Sequence, residues 1–149
     1  MIAKNKELVR RWVDLLNRKD WSLLGNVWGQ NVTVHAAGDD ISDAWDLSSL
    51  KQTFEPFFIA FPDSNITIEA LIAEDDLVVG RFRMRATHSG PFAGYPPSGR
   101  QLEWTSTNTY RIADGRIVEE WVLDDMLTLM RGIGAVEDVA RPAPAGEAF

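Results

Sequence analysis

The stretch at residues 101–125 constrains the fold of this chain more than any other segment. It holds two runs rich in β-branched and aromatic residues, 102–111 and 117–123, and Asp114-Gly115 lies between them. Small residues that tolerate positive φ are typical of a tight hairpin turn. The sequence therefore predicts a long antiparallel hairpin, followed by a short helix at Met126–Gly132.

Acidic residues on both faces of the second run are the main functional clue. Successive side chains of a strand point to opposite faces, so Glu120 and Asp124 share one face with Val122, and Glu119 lies on the other. Burying a carboxylate against an apolar surface costs free energy unless the surface belongs to a pocket or an interface. We therefore expect at least one face of this strand to line a pocket or meet a partner.

The rest of the chain predicts helices first and antiparallel strands afterwards. The predicted elements are helices at residues 3–18, 21–28 (capped by Asp20) and 48–61 (kinked at Pro56), strands at 32–36, 66–70 and 77–87, and loops at Gly38-Asp39-Asp40 and 89–100. This order is typical of an α+β fold, in which one curved antiparallel sheet wraps around the long N-terminal helix and leaves a cone-shaped cavity. We predict one domain at residues 1–135 and a loosely ordered C-terminal tail at 136–149.

Composition argues against several classes of function. The 149 residues carry a net charge of −7, which argues against nucleic acid or an anionic membrane as partner. The chain has no cysteine and two histidines, so we expect no disulfide, no thiol chemistry and no metal site. Without an apolar run long enough for a membrane span or a signal peptide, we expect a cytoplasmic protein. Six Trp and seven Phe suit either a well-packed core or an interior that holds a flat apolar ligand.

Several short motifs resemble one known family. They are Phe61-Pro62-Asp63, Thr87-His88-Ser89-Gly90, Phe92, Gly94, Pro96-Pro97-Ser98-Gly99, Asp114-Gly115-Arg116-Ile117-Val118-Glu119-Glu120-Trp121, Asp125 and Arg131. With them the chain resembles the SnoaL-like polyketide cyclases (ester cyclases) of the nuclear-transport-factor-two-like superfamily, over residues 7–134. The resemblance implies a cone-shaped α+β barrel. It also implies ring closure of a polyketide-like or other small carbonyl compound by aldol condensation, without metal or organic cofactor.

The resemblance also assigns positions to the family's site residues. The family's acid/base Asp falls on Val122, its His on Asn108, its helix-one Tyr on Leu16 and its helix-three Asn near Thr53. None of these residues keeps the family's residue type. Two hypotheses from different classes remain. One is a cofactor-free enzyme such as a cyclase, isomerase, dehydratase or hydrolase, and the other is a non-catalytic small-molecule-binding protein that has lost the catalytic Asp.

If the protein is an enzyme, a carboxylate beside Val122 replaces the family's Asp. We expect Asp124 or Glu120 to be the general base, and Asp125 is the next candidate for that role. We expect His35 or Asn108 to orient the substrate carbonyl. Burial in an aromatic pocket should raise the pKa of such a carboxyl. The residues expected to line the pocket are Leu16, Thr53, Phe57, Phe82, Met84, His88, Ser106, Tyr110 and Val122.

Each candidate also has a structural interpretation. Asp124 and Asp125 precede a predicted helix, so either can cap it. Glu120 can pair with Arg83 or Arg85 of the long strand. His35 and His88 can be structural, hydrogen-bonded histidines.

The face of the sheet that points away from the cavity is the expected interface. Trp104, Trp121 and Leu123 are large apolar residues that we expect on this outer face, and contiguous apolar surface usually marks a contact between subunits. Arg81, Arg83 and Arg85 alternate with apolar residues, so we expect them to be charged groups of the same face. We therefore predict a homodimer.

Overall fold

A computed structural model of the protein describes residues 1–36 and 43–137, which form three α-helices and one six-stranded sheet. The helices are α1 (Ile2–Arg18), α2 (Leu47–Ala60) and α3 (Met126–Gly132), and a 3-10 helix covers Trp21–Asn26. The strands are β1 (Trp28–Ala36), β2 (Asp43–Asp46), β3 (Asn65–Glu74), β4 (Leu77–Thr87), β5 (Gln101–Ala113) and β6 (Arg116–Asp124). The predicted loop at residues 38–40 and residues 138–149 of the predicted tail lie outside the described residues.

The strands follow the order β2-β1-β6-β5-β4-β3, with the predicted hairpin β5–β6 near the middle of the sheet. Asp114 and Gly115 form its turn at φ 49° and 70°. Neighbouring strands are antiparallel except β1 and β6, which run parallel. Register shifts in three of the pairings bend the sheet, since an extra residue on one strand increases the local twist. The predicted α+β fold is confirmed, with β2 and β3 as edges of a curved sheet that does not close.

The structure differs most from the sequence-based expectation between the end of α1 and the start of α2. The second predicted helix is a 3-10 helix that ends at Asn26, and β1 starts at Trp28 because Val27 and Trp28 bury their side chains in the core. The short strand β2 has no alternating apolar pattern, and it was not predicted. β2 exists because it pairs with β1, where Trp45 lies opposite Val32.

The apolar stripe of α1 packs against the concave face of the sheet. Six of its residues are buried, namely Leu8, Val9, Trp12, Val13, Leu15 and Leu16. Trp12 is 1% exposed and makes edge-to-face contacts with Trp28, at 5.2 Å between ring centroids, and with Phe54, at 5.4 Å. Aromatic pairs of this geometry stabilise a core beyond their buried area. Trp12 therefore ties α1 to both β1 and α2.

Asn17 fixes the last turn of α1 to the edge strand β3. Its Nδ2 donates to the carbonyl of Ile66 at 3.0 Å, and its Oδ1 accepts from the Ile66 N–H at 2.8 Å. An edge strand has no neighbour on one side, so its outward backbone groups need another partner. The Asn17 amide supplies that partner and holds the helix end against the sheet.

A second cluster of buried residues lies under α3 and corrects one prediction. Trp104 is 3% exposed and packs against Phe61, at 5.6 Å between ring centroids, and Phe57, at 6.1 Å. It lies on the concave face because it alternates in phase with Ser106 of the same strand. The expectation that Trp104 faces a partner subunit is therefore wrong.

Ion pairs cover the outer face of β3, β4 and β5. Glu69 pairs with Arg81 at 2.8 Å and with Arg83 at 2.6 Å. Glu103 pairs with Arg83 at 2.6 Å and with Arg85 at 2.6 Å. These arginines lie on the outer face, as expected. The alternative in which Arg83 or Arg85 pairs with Glu120 is therefore wrong.

None of the helices in the described ranges is long and apolar enough to cross a membrane.

We expect Asn17→Ala to destabilise the protein by about 1–3 kcal/mol, because it leaves a partly buried N–H and C=O without partners. Asn5→Ala is the matched control on the same helix, since Asn5 makes one exposed hydrogen bond, at 3.3 Å, to the Asp75 carbonyl. We expect the control to change stability by less than about 0.5 kcal/mol. Urea unfolding measures both free energies, and equal losses would contradict the role given to Asn17.

Candidate active site

A cavity of about 370 Å³ opens between the end of α1, the helix α2 and the concave face of the sheet. Its wall consists of Leu16, Val34, Ala36, Trp45, Leu50, Thr53, Phe54, Pro56, Phe57, Phe58, Ile66, Met84, Phe92, Glu120, Val122 and Asp124. Apart from Thr53 and the two acidic residues, every one of these side chains is apolar. The volume falls within the range of small-molecule sites.

Glu120 is the most perturbed ionisable group of the cavity wall. Its side chain is 2% exposed, and burial raises its pKa to about 8. The negative charge of Asp124 raises it further, whereas hydrogen bonds with Asn108 and Tyr110 act in the opposite direction. A carboxylic acid with this pKa is mostly protonated at neutral pH and can donate a proton.

Asn108 holds Glu120 from the neighbouring strand. Its Nδ2 donates to Oε1 of Glu120 at 3.1 Å and to the hydroxyl of Tyr110 at 3.4 Å. Its Oδ1 accepts from the hydroxyl of Ser106 at 2.8 Å and from the backbone N–H of Leu123 at 3.4 Å. Since a backbone N–H can only donate, the Leu123 contact fixes which end of the amide faces Glu120.

Asp124 is the second acid of the cavity wall. It lies directly opposite Ser106 in the β5–β6 register. Burial raises the pKa of Asp124, and the neighbouring Ser106 hydroxyl partly counteracts this. Polar side chains of β5 therefore lie beside both acids, and neither acid has a basic partner in the described part of the chain.

Tyr110 closes the polar network at its deep end. It is 2% exposed, and burial together with the nearby charge of Glu120 raises its pKa well above the ordinary value. The phenol therefore stays protonated. Neither Tyr110 nor Ser106 nor Asn108 reaches the cavity wall, so these three residues form a layer beneath the two acids. Asn108 is thus placed to orient Glu120, and not the substrate carbonyl as the sequence suggested.

The other expected pocket residues divide into two groups. Five of them line the cavity, namely Leu16, Thr53, Phe57, Met84 and Val122. Phe82 is buried without reaching the wall, because its ring packs against Tyr110 at 6.4 Å between centroids. His88 is also buried away from the wall, beside Phe61.

His88 anchors the loop that follows β4. Its Nδ1 accepts the backbone N–H of Ser98 at 3.1 Å and lies 2.9 Å from the Ser98 hydroxyl. Its own backbone N–H donates to the Arg100 carbonyl at 2.9 Å. These contacts correspond to the structural interpretation of His88, and its placement as a cavity-lining residue is wrong.

His35 lies on the outer face of the sheet, so its expected contact with substrate is corrected. Its Nε2 is 2.8 Å from Oε1 of Glu119, and its ring stacks on Trp121 at 5.1 Å between centroids. The physical reason is the alternation of β1, in which Val34 faces the cavity and His35 points the other way. His35 is therefore not part of the cavity wall.

Asp125 caps α3. Its carboxylate accepts from the backbone N–H of Thr128 at 3.1 Å and from the Thr128 hydroxyl at 2.6 Å, which lowers its pKa. This is the geometry of an N-cap. The capping interpretation therefore applies to Asp125 and leaves Asp124 free to face the cavity.

Four aromatic wall residues were not singled out from the sequence. Phe54 and Phe58 lie on the apolar stripe of α2 together with Phe57, so the spacing of these residues carried a usable signal. Trp45 belongs to the unpredicted strand β2, and Phe92 belongs to the loop rich in Gly and Pro. No local pattern indicates that these two residues face a cavity.

No group of three or more His, Asp or Glu side chains in the described ranges is arranged to hold a metal ion. The predicted independence from metal ions stays a prediction.

Comparison with known proteins identifies related sequences and folds. Residues 6–133 match the family model described as SnoaL-like polyketide cyclase. No curated protein sequence matches the chain.

Solved structures with similar folds come from several bacteria. AclR, a putative hydroxylase from Streptomyces galilaeus, is 28% identical with a TM-score of 0.82, over 93% of this chain and 86% of that one. IdmH, a putative polyketide cyclase from Streptomyces antibioticus, is 29% identical with a TM-score of 0.77, over 87% of this chain and 98% of that one. A putative SnoaL-like polyketide cyclase from Jannaschia sp. CCS1 is 23% identical with a TM-score of 0.82, over 92% and 96% of the two chains. At that identity it shows the shared fold alone.

We expect Glu120→Gln to stabilise the protein relative to wild type increasingly as the pH rises. The folded-state pKa of Glu120, about 8, lies above its ordinary value of 4.5, so the native state holds this proton more tightly than the unfolded state. Its stabilising contribution is complete below the ordinary pKa and is lost as the pH rises through the folded pKa. The difference in unfolding free energy should grow by up to about 5 kcal/mol across this window.

Glu119→Gln is the matched control one residue away. Burial raises the pKa of Glu119, but hydrogen bonds from His35 and Arg111 outweigh it and lower the pKa overall. Its stabilising contribution is therefore complete above the ordinary pKa and is lost only as the pH falls below it, so the control should show a constant loss of stability over the range in which Glu120→Gln gains it. Denaturant unfolding at several pH values measures both, and parallel curves for the two variants would contradict the assigned burial of Glu120.

Proposed function

The chain belongs to the SnoaL-like polyketide cyclase family, and we propose that it is a cofactor-independent enzyme for acid–base chemistry on a small apolar carbonyl compound. The observation that supports the proposal is the buried carboxyl of Glu120, whose pKa of about 8 suits proton transfer near neutral pH. A purely structural carboxyl in an apolar wall would lower the stability of the fold without compensation. Cyclisation or isomerisation through an enol is the reaction class that this arrangement suits.

The proposed mechanism gives the two acids different roles. Protonated Glu120 donates a hydrogen bond to the carbonyl oxygen of the substrate, and Asp124 removes a proton from the carbon next to that carbonyl. The electrons of the broken C–H bond form the enol C=C bond as the oxygen takes the Glu120 proton. In a cyclisation, the enol carbon then attacks a second carbonyl, whose oxygen takes the proton from Asp124 while the enol O–H returns its proton to Glu120. In an isomerisation of a conjugated substrate, Asp124 instead protonates the dienol at its far carbon, and the O–H proton again returns to Glu120. Side chains two residues apart on one strand face are separated by about 7 Å, which accommodates such a group between them.

The shape of the cavity favours a compact, flat substrate. At the packing density of protein interiors, about 0.75, its roughly 370 Å³ holds about 280 Å³ of ligand, the order of four fused rings, so bicyclic compounds also fit. The aromatic walls exclude water from the acids, which strengthens their electrostatic interaction with substrate. Asn108 keeps the Glu120 carboxyl oriented during proton transfer.

A non-catalytic binding protein is the second candidate. The observation that favours it is the residue at the centre of the cavity strand: Val122 takes the position that the family resemblance gives to the catalytic Asp, and Leu16 takes that of the Tyr. In this alternative the cavity holds a ligand, and the two acids only orient it.

Hydrogen–deuterium exchange distinguishes the two candidates. β-Tetralone is a bicyclic ketone whose α-protons exchange with solvent through the enol, and NMR in D₂O measures the exchange rate. We expect the wild-type protein to accelerate the exchange, and Glu120→Gln or Asp124→Asn to lower the acceleration by about 10²- to 10⁴-fold. Glu119→Gln is the control and should keep it. If the wild-type protein binds β-tetralone and leaves its exchange rate unchanged, the enzymatic proposal fails and the binding protein is favoured.

We also propose that the outer face of the sheet forms a homodimer. Trp121, Thr109, Val79 and Ile72 lie opposite one another in register across β6, β5, β4 and β3. Ile72 is 68% exposed, and Leu123 on the same face is 60% exposed. A row of mostly apolar side chains beside charged groups of both signs is a surface that can match a second copy of itself.

We expect Leu123→Lys to shift the protein from dimer to monomer, because it places a charge within the proposed contact. Leu23→Lys is the control, since Leu23 is an exposed leucine of the 3-10 helix, away from the sheet. Light scattering at micromolar concentration measures the mass of both variants and the wild type. A monomeric wild-type protein would rule the dimer out.

A further inference from the structure

The ionisable groups of the cavity wall are all acidic in the described residues. It carries Glu120 and Asp124, and no Lys, Arg or His of the described residues lines it. The basic side chains of neighbouring strands lie on the outer face and are engaged there, His35 with Glu119, for example. A charged group on a bound ligand would therefore meet two carboxyls and no competing cation.

Aromatic side chains make up much of the remaining wall, and they also affect which ligand charge the cavity favours. It includes Trp45, Phe54, Phe57, Phe58 and Phe92. The ring of Phe57 meets that of Phe58 edge to face at 5.4 Å and that of Phe92 at 6.5 Å between centroids. The faces of aromatic rings carry partial negative charge and attract cations, most strongly where water is excluded. The apolar wall and the two acids thus favour the same sign of ligand charge.

We propose that this cavity selects its ligand by charge and binds a lipophilic aromatic amine, as the ammonium ion between Glu120 and Asp124, in preference to an uncharged molecule of the same shape. A carboxylate of that shape is excluded. The proposal rests on the proposed function only in that the same cavity is the binding site, and it does not require catalysis.

The geometry explains why an ammonium group suits the two acids. The hydrogen bond from Asn108 occupies one position on Oε1 of Glu120, and an ammonium group brings three further donors. The ammonium ion supplies the positive partner whose absence, together with burial, keeps the pKa of Glu120 high. The other titratable groups that face Glu120 in the described ranges are Asp124 and Tyr110, and neither carries positive charge.

Three naphthalenes of nearly equal size test the proposal on the full chain: naphthylmethylamine, naphthalenemethanol and naphthoate. Isothermal titration calorimetry at neutral pH measures their affinities. We expect the amine to bind at least about tenfold more tightly than the alcohol, and the carboxylate to bind most weakly. The amine should also inhibit exchange of β-tetralone competitively if the exchange activity is present.

Three variants locate the source of the preference. Glu120→Gln and Asp124→Asn should each bring the affinity ratio of amine to alcohol towards one. Glu119→Gln removes an adjacent carboxylate on the outer face and should leave the ratio unchanged. A ratio that falls equally in all three variants would assign the preference to the net charge of the chain and overturn the proposal.

The outcomes for the unaltered protein separate this proposal from the proposed function. Equal binding of amine and alcohol overturns charge selection and leaves the apolar substrate site intact. Binding of none of the three probes contradicts both proposals. An amine preference without any exchange of β-tetralone supports charge selection and contradicts the enzymatic proposal alone.

Discussion

The packing of α1 against the concave face of the sheet is the interaction on which the rest of the structure depends. Trp12 joins the helix to β1 and α2, and Asn17 attaches its last turn to the edge strand β3. The helix covers one part of the concave face, and its last turn contributes Leu16 to the cavity wall. The cavity is therefore the part of the concave face that lies beyond the end of α1, where α2 covers the sheet at a distance. Since helices and strands carry every wall residue except Phe92, most of its side chains are held in place before a ligand arrives.

Two adjacent residues of β6 show how the faces of one strand create opposite electrostatic environments. Glu119 meets Arg111 at 2.9 Å and His35 at 2.8 Å, and these partners lower its pKa despite partial burial. Glu120 points into the aromatic cavity, where its direct polar contacts among the described residues are neutral, and its pKa rises to about 8. Glu119 on the outer face thus forms ion pairs that stabilise the fold, whereas burial of Glu120 on the inner face costs stability. Such a cost is typical of functional sites.

Alternation along strands made much of this arrangement predictable. The placement of Glu120, Val122 and Asp124 on one face follows from the sequence, and the hairpin and α3 were recognised from residue types alone. The same alternation puts Trp104 on the face of Ser106, so the sequence itself contradicts the expectation that Trp104 faces a partner subunit. His35 was different, because the inward face of β1 depends on which side packs against α1 and α2. The strand β2 and the pKa of Glu120 depend on tertiary contacts, and no local pattern encodes them.

Under the proposed function, the chemistry of this cavity requires an acid on the inward face of β6 and does not require it at one particular position of that strand. Val122 stands where the family resemblance expects an Asp, and carboxyls flank it at Glu120 and Asp124. A shift of two residues keeps a side chain on the same face and moves it by about 7 Å along the strand. Placing acids on both sides of a valine also keeps them from binding each other directly, so a ligand can lie across Val122 and reach both. Their shared environment then couples them, because the charge of Asp124 raises the pKa of Glu120. An ionised Asp124 therefore makes it harder for Glu120 to lose its proton, which is the relation that an acid–base pair requires.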